Sequence, residues 1–170
     1  MIGRPRDTEA ASYYFTYINQ VAGDDVIGVI AGQLDESIAF FSGVSEERSL
    51  YRYAPEKWSF RQALNHVTDT ERAFAFRALW FARGFDTPLA GYDQDIAARG
   101  AEADRVSWAA HVEEFRRVRL STISLFANMP SEAWIRSGIA SDKPFTVRAL
   151  AYIIAGHSAH HVRILRERYL

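Results

Sequence analysis

Apolar side chains recur at intervals of three and four residues in four stretches of the chain, the period of a helix with one buried face. The first runs over about residues 24–42 with Ile27, Ile30, Leu34, Ile38 and Phe41 on one stripe. The second, about 59–83, opens at Ser59-Phe60-Arg61-Gln62, where Ser59 and Gln62 can each satisfy a free amide of the first turn. It continues through Ala63, Val67, Phe74, Ala78 and Phe81 until Gly84. The third, about 107–128, turns Trp108, Val112, Phe115, Val118, Leu125 and Phe126 inward, and Pro130 lies beyond its end. The fourth, about 146–168, carries Leu150, Ile153, Ile154, Ile164 and Leu165. Nowhere is there sustained period-two alternation. The pattern predicts an all-α fold, a four-helix bundle with long connections, formed by residues 1–170 as a single domain.

The connections carry further expectations. The stretch 84–104 holds Pro88, Gly91 and Gly100 and has room for a short helix around Gln94 to Arg99. About twenty residues can travel the length of a bundle, so a crossover is expected between the second and third helices. Near the N-terminus, Tyr13-Tyr14-Phe15-Thr16-Tyr17-Ile18 is apolar enough to pack along the bundle.

Composition narrows the classes of function. A formal net charge of -1 offers no basic excess for a phosphate backbone, so nucleic acid is not an expected partner. No stretch is apolar and long enough to span a bilayer, no signal core follows the N-terminus, and the cytoplasm is the expected location. Cysteine is absent, which excludes disulfides, thiolate ligands and a cysteine nucleophile. Aromatic residues make up 14% of the chain, read first as a bulky helical core and second as the lining of a ligand pocket.

The chain has five histidines, three of them within Gly156-His157-Ser158-Ala159-His160-His161. Residues four apart stand one above the other on a helix, so His157 and His161 can converge on one ion. Both fall in the middle of the fourth apolar stripe, and His160 falls toward its edge. Buried imidazoles need polar partners, and a metal ion would serve both rings. A third ligand must come from another helix. Periodicity leaves His66 on the second helix and His111 on the third as competitors, with a structural role or exposure near a helix start also accounting for His111.

Two short patches resemble the DinB/YfiT-like superfamily of bacterial metal-binding four-helix bundles. One is Trp58-Ser59 followed by Asn65-His66-Val67-Thr68-Asp69-Thr70-Glu71, and the other is His157-Ser158-Ala159-His160-His161. The resemblance implies a site for one divalent metal ion, zinc or nickel, held by His66, His157 and His161. Three imidazoles without a fourth protein ligand would leave a position for water or a substrate atom. Asp69, one turn from His66, offers a carboxylate to orient an imidazole or a bound water, or else is a solvated surface charge. Thr70 and Arg77 share the His66 side of the second helix and are candidates to line a pocket.

For function the resemblance implies a metal-dependent enzyme acting on a small-molecule substrate, in particular transfer of a low-molecular-weight thiol such as bacillithiol or mycothiol. The sulfur would come from the cosubstrate, since the chain has none to offer as thiolate. A metal-dependent hydrolase needs the same ligands. The third alternative is a non-catalytic, metal-stabilised stress or binding module. Bundles of this resemblance pair through helix faces, so a homodimer is expected.

Overall fold

The structure, a computed structural model, describes residues 2–170. Its helices are α1 (Phe15–Ile18), α2 (Val26–Ser42), α3 (Phe60–Ala82), α4 (Gln94–Ala101), α5 (Trp108–Ala127) and α6 (Val147–Arg168), with a hairpin of β1 (Ser137–Ala140) and β2 (Lys143–Thr146) before α6. α2, α3, α5 and α6 are the four helices of the bundle. Each starts at a side-chain cap, where Asp25, Ser59, Ser107 and Thr146 accept backbone amides of the first turn. Ser59 and Gln62 close the capping box in both directions.

Each of α2 and α3 packs against both α5 and α6, so α2 lies diagonally opposite α3 and α5 diagonally opposite α6. Directions follow from the aromatic cluster at one end. There Phe41 ends α2, Phe60 opens α3, Trp108 opens α5 and Tyr169 follows α6, with Phe60 in contact with the other three rings. α3 and α5 therefore run parallel, and the segment between them travels the length of the bundle carrying α4. The expected crossover and the short helix within it are both present.

Two core clusters fill the two ends. One gathers Leu34, Phe41, Phe60, Leu64, Val67, Trp108, Phe115 and Leu165. The other gathers Val26, Ile30, Phe74, Ala78, Phe81, Phe126, Ile153 and Ile154. The polar side chains that interrupt the stripes fall between them at mid-height. On α3 these are His66, Thr70 and Glu71, on α5 Arg119 and Thr122, and on α6 His157 and Ser158, all buried.

The hairpin departs from the expected all-helical pattern. Its two-residue turn, Ser141-Asp142, has φ of 51° and 58°, the positive pair that a type I′ turn requires. Both edges are used: Ala10 bridges to Phe145, and Leu89 of the crossover bridges to Ala140. The hairpin thus fixes the N-terminal segment and the crossover against the same flank of α3 and α6. Arg148 adds an ion pair to Glu9, and Arg4 donates to the carbonyls of Ile18 and Val21. These contacts hold the N-terminal tyrosines along the bundle, as the apolar run predicted.

Candidate metal centre

His66 comes from the second turn of α3, and His157 and His161 from successive turns of α6, the pair of helices in most extensive contact. Their ligand nitrogens all lie within 4.8 Å of one another. The closest approach is His66 Nε2 to His157 Nε2 at 3.1 Å. Nitrogens bound at about 2.1 Å to one tetrahedral ion stand roughly 3.4 Å apart, so the cluster brackets that spacing. The rings meet edge to face, with centroids 5.0 Å apart for His66 and His157, 4.9 Å for His66 and His161, and 4.4 Å for His157 and His161.

Protonation would place like charges at these distances in a site with little water. Burial draws the His66 pKa down to about 4, against a smaller opposing pull from Asp95. Burial and then His66 and His160 draw His161 down to about 3. His157 is held well below its ordinary value, by burial first and then by His161 and His66. All three are neutral at neutral pH, the state in which imidazole ligates a metal. No fourth histidine or carboxylate joins the group among the described residues. Three convergent neutral imidazoles fit a divalent ion with an open position.

The rings are fixed by what surrounds them. Trp58 lies over His66 at 4.8 Å, and Tyr17 meets His157 edge-on at 5.3 Å. Thr70 Oγ1 is 3.3 Å from His66 Nδ1, one turn along α3. Asp69 does not occupy that position. Its carboxylate pairs with Arg72 at 3.1 Å, and Arg72 continues to Glu114 on α5, so Asp69 belongs to a surface network rather than to the histidines. His111 is buried with Nε2 2.8 Å from the Ala103 carbonyl, a structural role, and His160 lies partly exposed outside the cluster.

Behind the histidines, Arg119 and Glu71 form an ion pair at 2.8 Å with 0% and 3% of their side chains exposed. Burial pushes the Glu71 carboxyl up and the Arg119 guanidinium down, each opposed by its partner.

Two openings reach the cluster. A cavity of about 160 Å³ touches His66 and His157 and is walled by Tyr13, Tyr14, Tyr17, Thr70 and Arg77 with Gln94 of α4. A wider one of about 290 Å³ touches His161, with Trp58, Tyr53 and Asp95 around it. Thr70 and Arg77 thus line the pocket on the His66 side. The aromatic content divides between both of its readings: most phenylalanines pack into the core, and Tyr13, Tyr14 and Tyr17 wall the cavity. Asp95 and Gln94 flank the two openings because Asp93 caps α4 over the site, accepting from the amides of Asp95 and Ile96. The N-cap residue was the readable signal for their placement.

The sequence model of the DinB superfamily matches residues 31–165. Among solved structures, the chain is similar to YfiT from Bacillus subtilis, described as a probable metal-dependent hydrolase with an unusual four-helix bundle topology. The two share 16% identity with a TM-score of 0.70, over 96% of this chain and 89% of that one. No curated protein matches the chain in sequence. No helix among the described residues is long and apolar enough to cross a membrane.

Proposed function

Since the chain belongs to the DinB superfamily, we propose that His66, His157 and His161 hold one divalent ion, zinc or nickel, in an enzyme acting on small molecules. The observation that carries this is the convergence of three neutral imidazoles, His66 and His157 buried and His161 partly so, beside two cavities, with no fourth protein ligand among the described residues. When bound, such an ion supplies Lewis acidity to a substrate oxygen or sulfur. The protein's own part is to keep the ligands deprotonated by burial, hold His66 between Trp58 and Thr70, and admit substrate along the tyrosine wall.

The reaction we favour is transfer of a low-molecular-weight thiol to an electrophile. Two cavities meeting one cluster suit two substrates, and a chain without cysteine must take its sulfur from a cosubstrate. Hydrolysis is the second reading, favoured by the description of YfiT. Protein purified without a histidine tag, loaded with zinc or nickel, is assayed against a panel of thiols with electrophiles and a panel of esters and amides. Metal-dependent loss of free thiol supports transfer, and metal-dependent cleavage without thiol supports hydrolysis. No turnover with a stably bound metal returns the site to a structural tie between α3 and α6. The reading includes pairing of two copies, supported by exposed Phe76 beside the apolar groove of Leu79, Val118 and Leu125. A monomer mass by light scattering removes that part, and fractionation of cells tests the cytoplasmic location.

A further inference from the structure

Three arginines are buried among the described residues: Arg61, Arg77 and Arg119. Arg61 meets Glu46 and Arg119 meets Glu71, but no carboxylate pairs with Arg77. Its Nη2 donates to Ser141 Oγ at 2.9 Å and weakly to the Ala90 carbonyl at 3.5 Å. The Tyr14 hydroxyl stands beside the guanidinium, and the Phe74 ring centre is 5.4 Å away. All of these partners are neutral. A guanidinium stays cationic at neutral pH even when burial lowers its pKa, so an uncompensated charge is kept inside the protein. Such a charge is costly to bury unless something of opposite sign completes it.

Arg77 lines the same cavity as His66 and His157. It follows His66 by eleven positions on α3, roughly 16 Å along the axis, and the cavity that both side chains line spans that interval. The hairpin turn delivers Ser141 to the other side of the guanidinium, so the cation is positioned by two separate elements. A cavity of about 160 Å³ is small beside the usual 300–1,000 Å³ of ligand sites and suits a compact molecule.

We propose that Arg77 anchors an oxyanion of the substrate, a carboxylate, phosphate or sulfonate, whose opposite end reaches the histidine cluster. The fork of a guanidinium matches the paired oxygens of such a group, and Ser141 fixes its orientation. The substrate class is therefore a small bifunctional acid: an anionic group at one end and a metal-seeking oxygen or sulfur at the other. That second half rests on the metal reading of the cluster; the anion site itself does not.

The test separates the two. In metal-free protein, inorganic phosphate is titrated while tyrosine and tryptophan fluorescence is followed. A saturable response with Kd on the order of millimolar is expected, weakened about tenfold or more by Arg77→Gln and partly restored by Arg77→Lys. The Nε–H resonance of Arg77 in the unaltered protein should move in the same titration, a readout that survives even if Arg77→Gln fails to fold. In cobalt-loaded protein, 3-mercaptopropionate should bind about tenfold tighter than 2-mercaptoethanol, read from the sulfur-to-cobalt absorption, and Arg77→Gln should abolish the preference. A phosphate response that is absent, or that leaves the Arg77 resonance unmoved, overturns the proposal. Phosphate binding at Arg77 without any cobalt uptake keeps the anion site and overturns the metal reading instead.

Discussion

Gly156 lies so close to Tyr17 that a β-carbon built on it would stand 2.1 Å from the Tyr17 carbonyl oxygen and 2.5 Å from its carbonyl carbon. The obstacle is backbone, which cannot rotate away, so α1 rests on α6 only because residue 156 has no side chain. The same contact sets Tyr17 edge-on to His157. Gly156→Ala should displace α1 and lower stability by about 1–3 kcal/mol, measured by urea unfolding. Tyr17→Phe, which keeps the backbone contact, should cost much less. Equal stability of Gly156→Ala and the parent chain would show that the two helices are not in registered contact.

Metal retention should divide the histidines of the last helix. His161→Ala removes one of three convergent ligands and should abolish most binding, and His66→Ala should do the same. His160→Ala, outside the cluster, should leave it largely intact. Equilibrium dialysis followed by elemental analysis gives the ratio directly. Bound metal should raise the unfolding temperature, and a chelator should erase the rise. Full metal content in His161→Ala would sink the three-histidine assignment.

Acid should unfold the metal-free protein earlier than its carboxylates alone require. His66 titrates at about 4 and His161 at about 3 when folded, with His157 also far below its ordinary 6.5. In the unfolded chain all three take up protons near 6.5, so below that pH the unfolded state binds more. Stability is complete above about pH 6.5 and is lost as pH falls from there toward about 4 and then 3. Urea midpoints taken from about pH 7.5 down to about pH 4.5 should fall steadily, and a level profile would contradict the burial of the cluster.

The ion pair of Glu71 and Arg119 should reveal itself by the asymmetry of its variants. Arg119→Met alone leaves a carboxylate in the core and should cost about 3–5 kcal/mol. Adding Glu71→Leu removes the stranded charge and should recover most of that loss. Chemical denaturation of the two variants makes the comparison. A double variant no more stable than the single one would mean that the pair is held by the wider polar layer rather than by mutual charge.

The helices were legible because period and caps agreed: Ser59 and Gln62 announce α3, and the cap of each other helix lies within a residue or two of its expected start. The registers were less so. On α2 the buried stripe is Val26, Ile30, Leu34, Ser37 and Phe41, where apolarity alone favoured Ile27 and Ile38. On α5, Arg119 and Thr122 occupy core positions that a hydrophobic pattern assigns to solvent. The burial of Arg119 depends on Glu71, a partner on a different helix that no local window contains, while Thr122 donates to the Val118 carbonyl of its own helix. The hairpin escaped notice because Ser141-Asp142 lacks the glycine that usually marks such a turn. His66, His157 and His161 could be singled out from spacing, stripe position and resemblance together. Arg77 could be placed near them, but its missing counter-charge is visible only once every neighbour is in place. Asp69 was open between an orienting carboxylate and a solvated surface charge, and its pairing with Arg72 is a contact that its nearness in sequence to His66 did not decide.

The parallel course of α3 and α5 obliges residues 83–107 to run the length of the bundle, and on the way they lay Tyr92, Gln94 and Asp95 across the entrances to the histidines. α4 has no buried residue of its own, so its composition is under little demand from the core. Frame and doorway are thereby separate inheritances of one chain. A lineage can redraw what enters by rewriting a couple of dozen residues while the four load-carrying helices, and the three imidazoles they deliver, stay as they are. Diversification of substrate in proteins of this build should accordingly be written in the crossover first, and grafting that segment between relatives should carry selectivity with it.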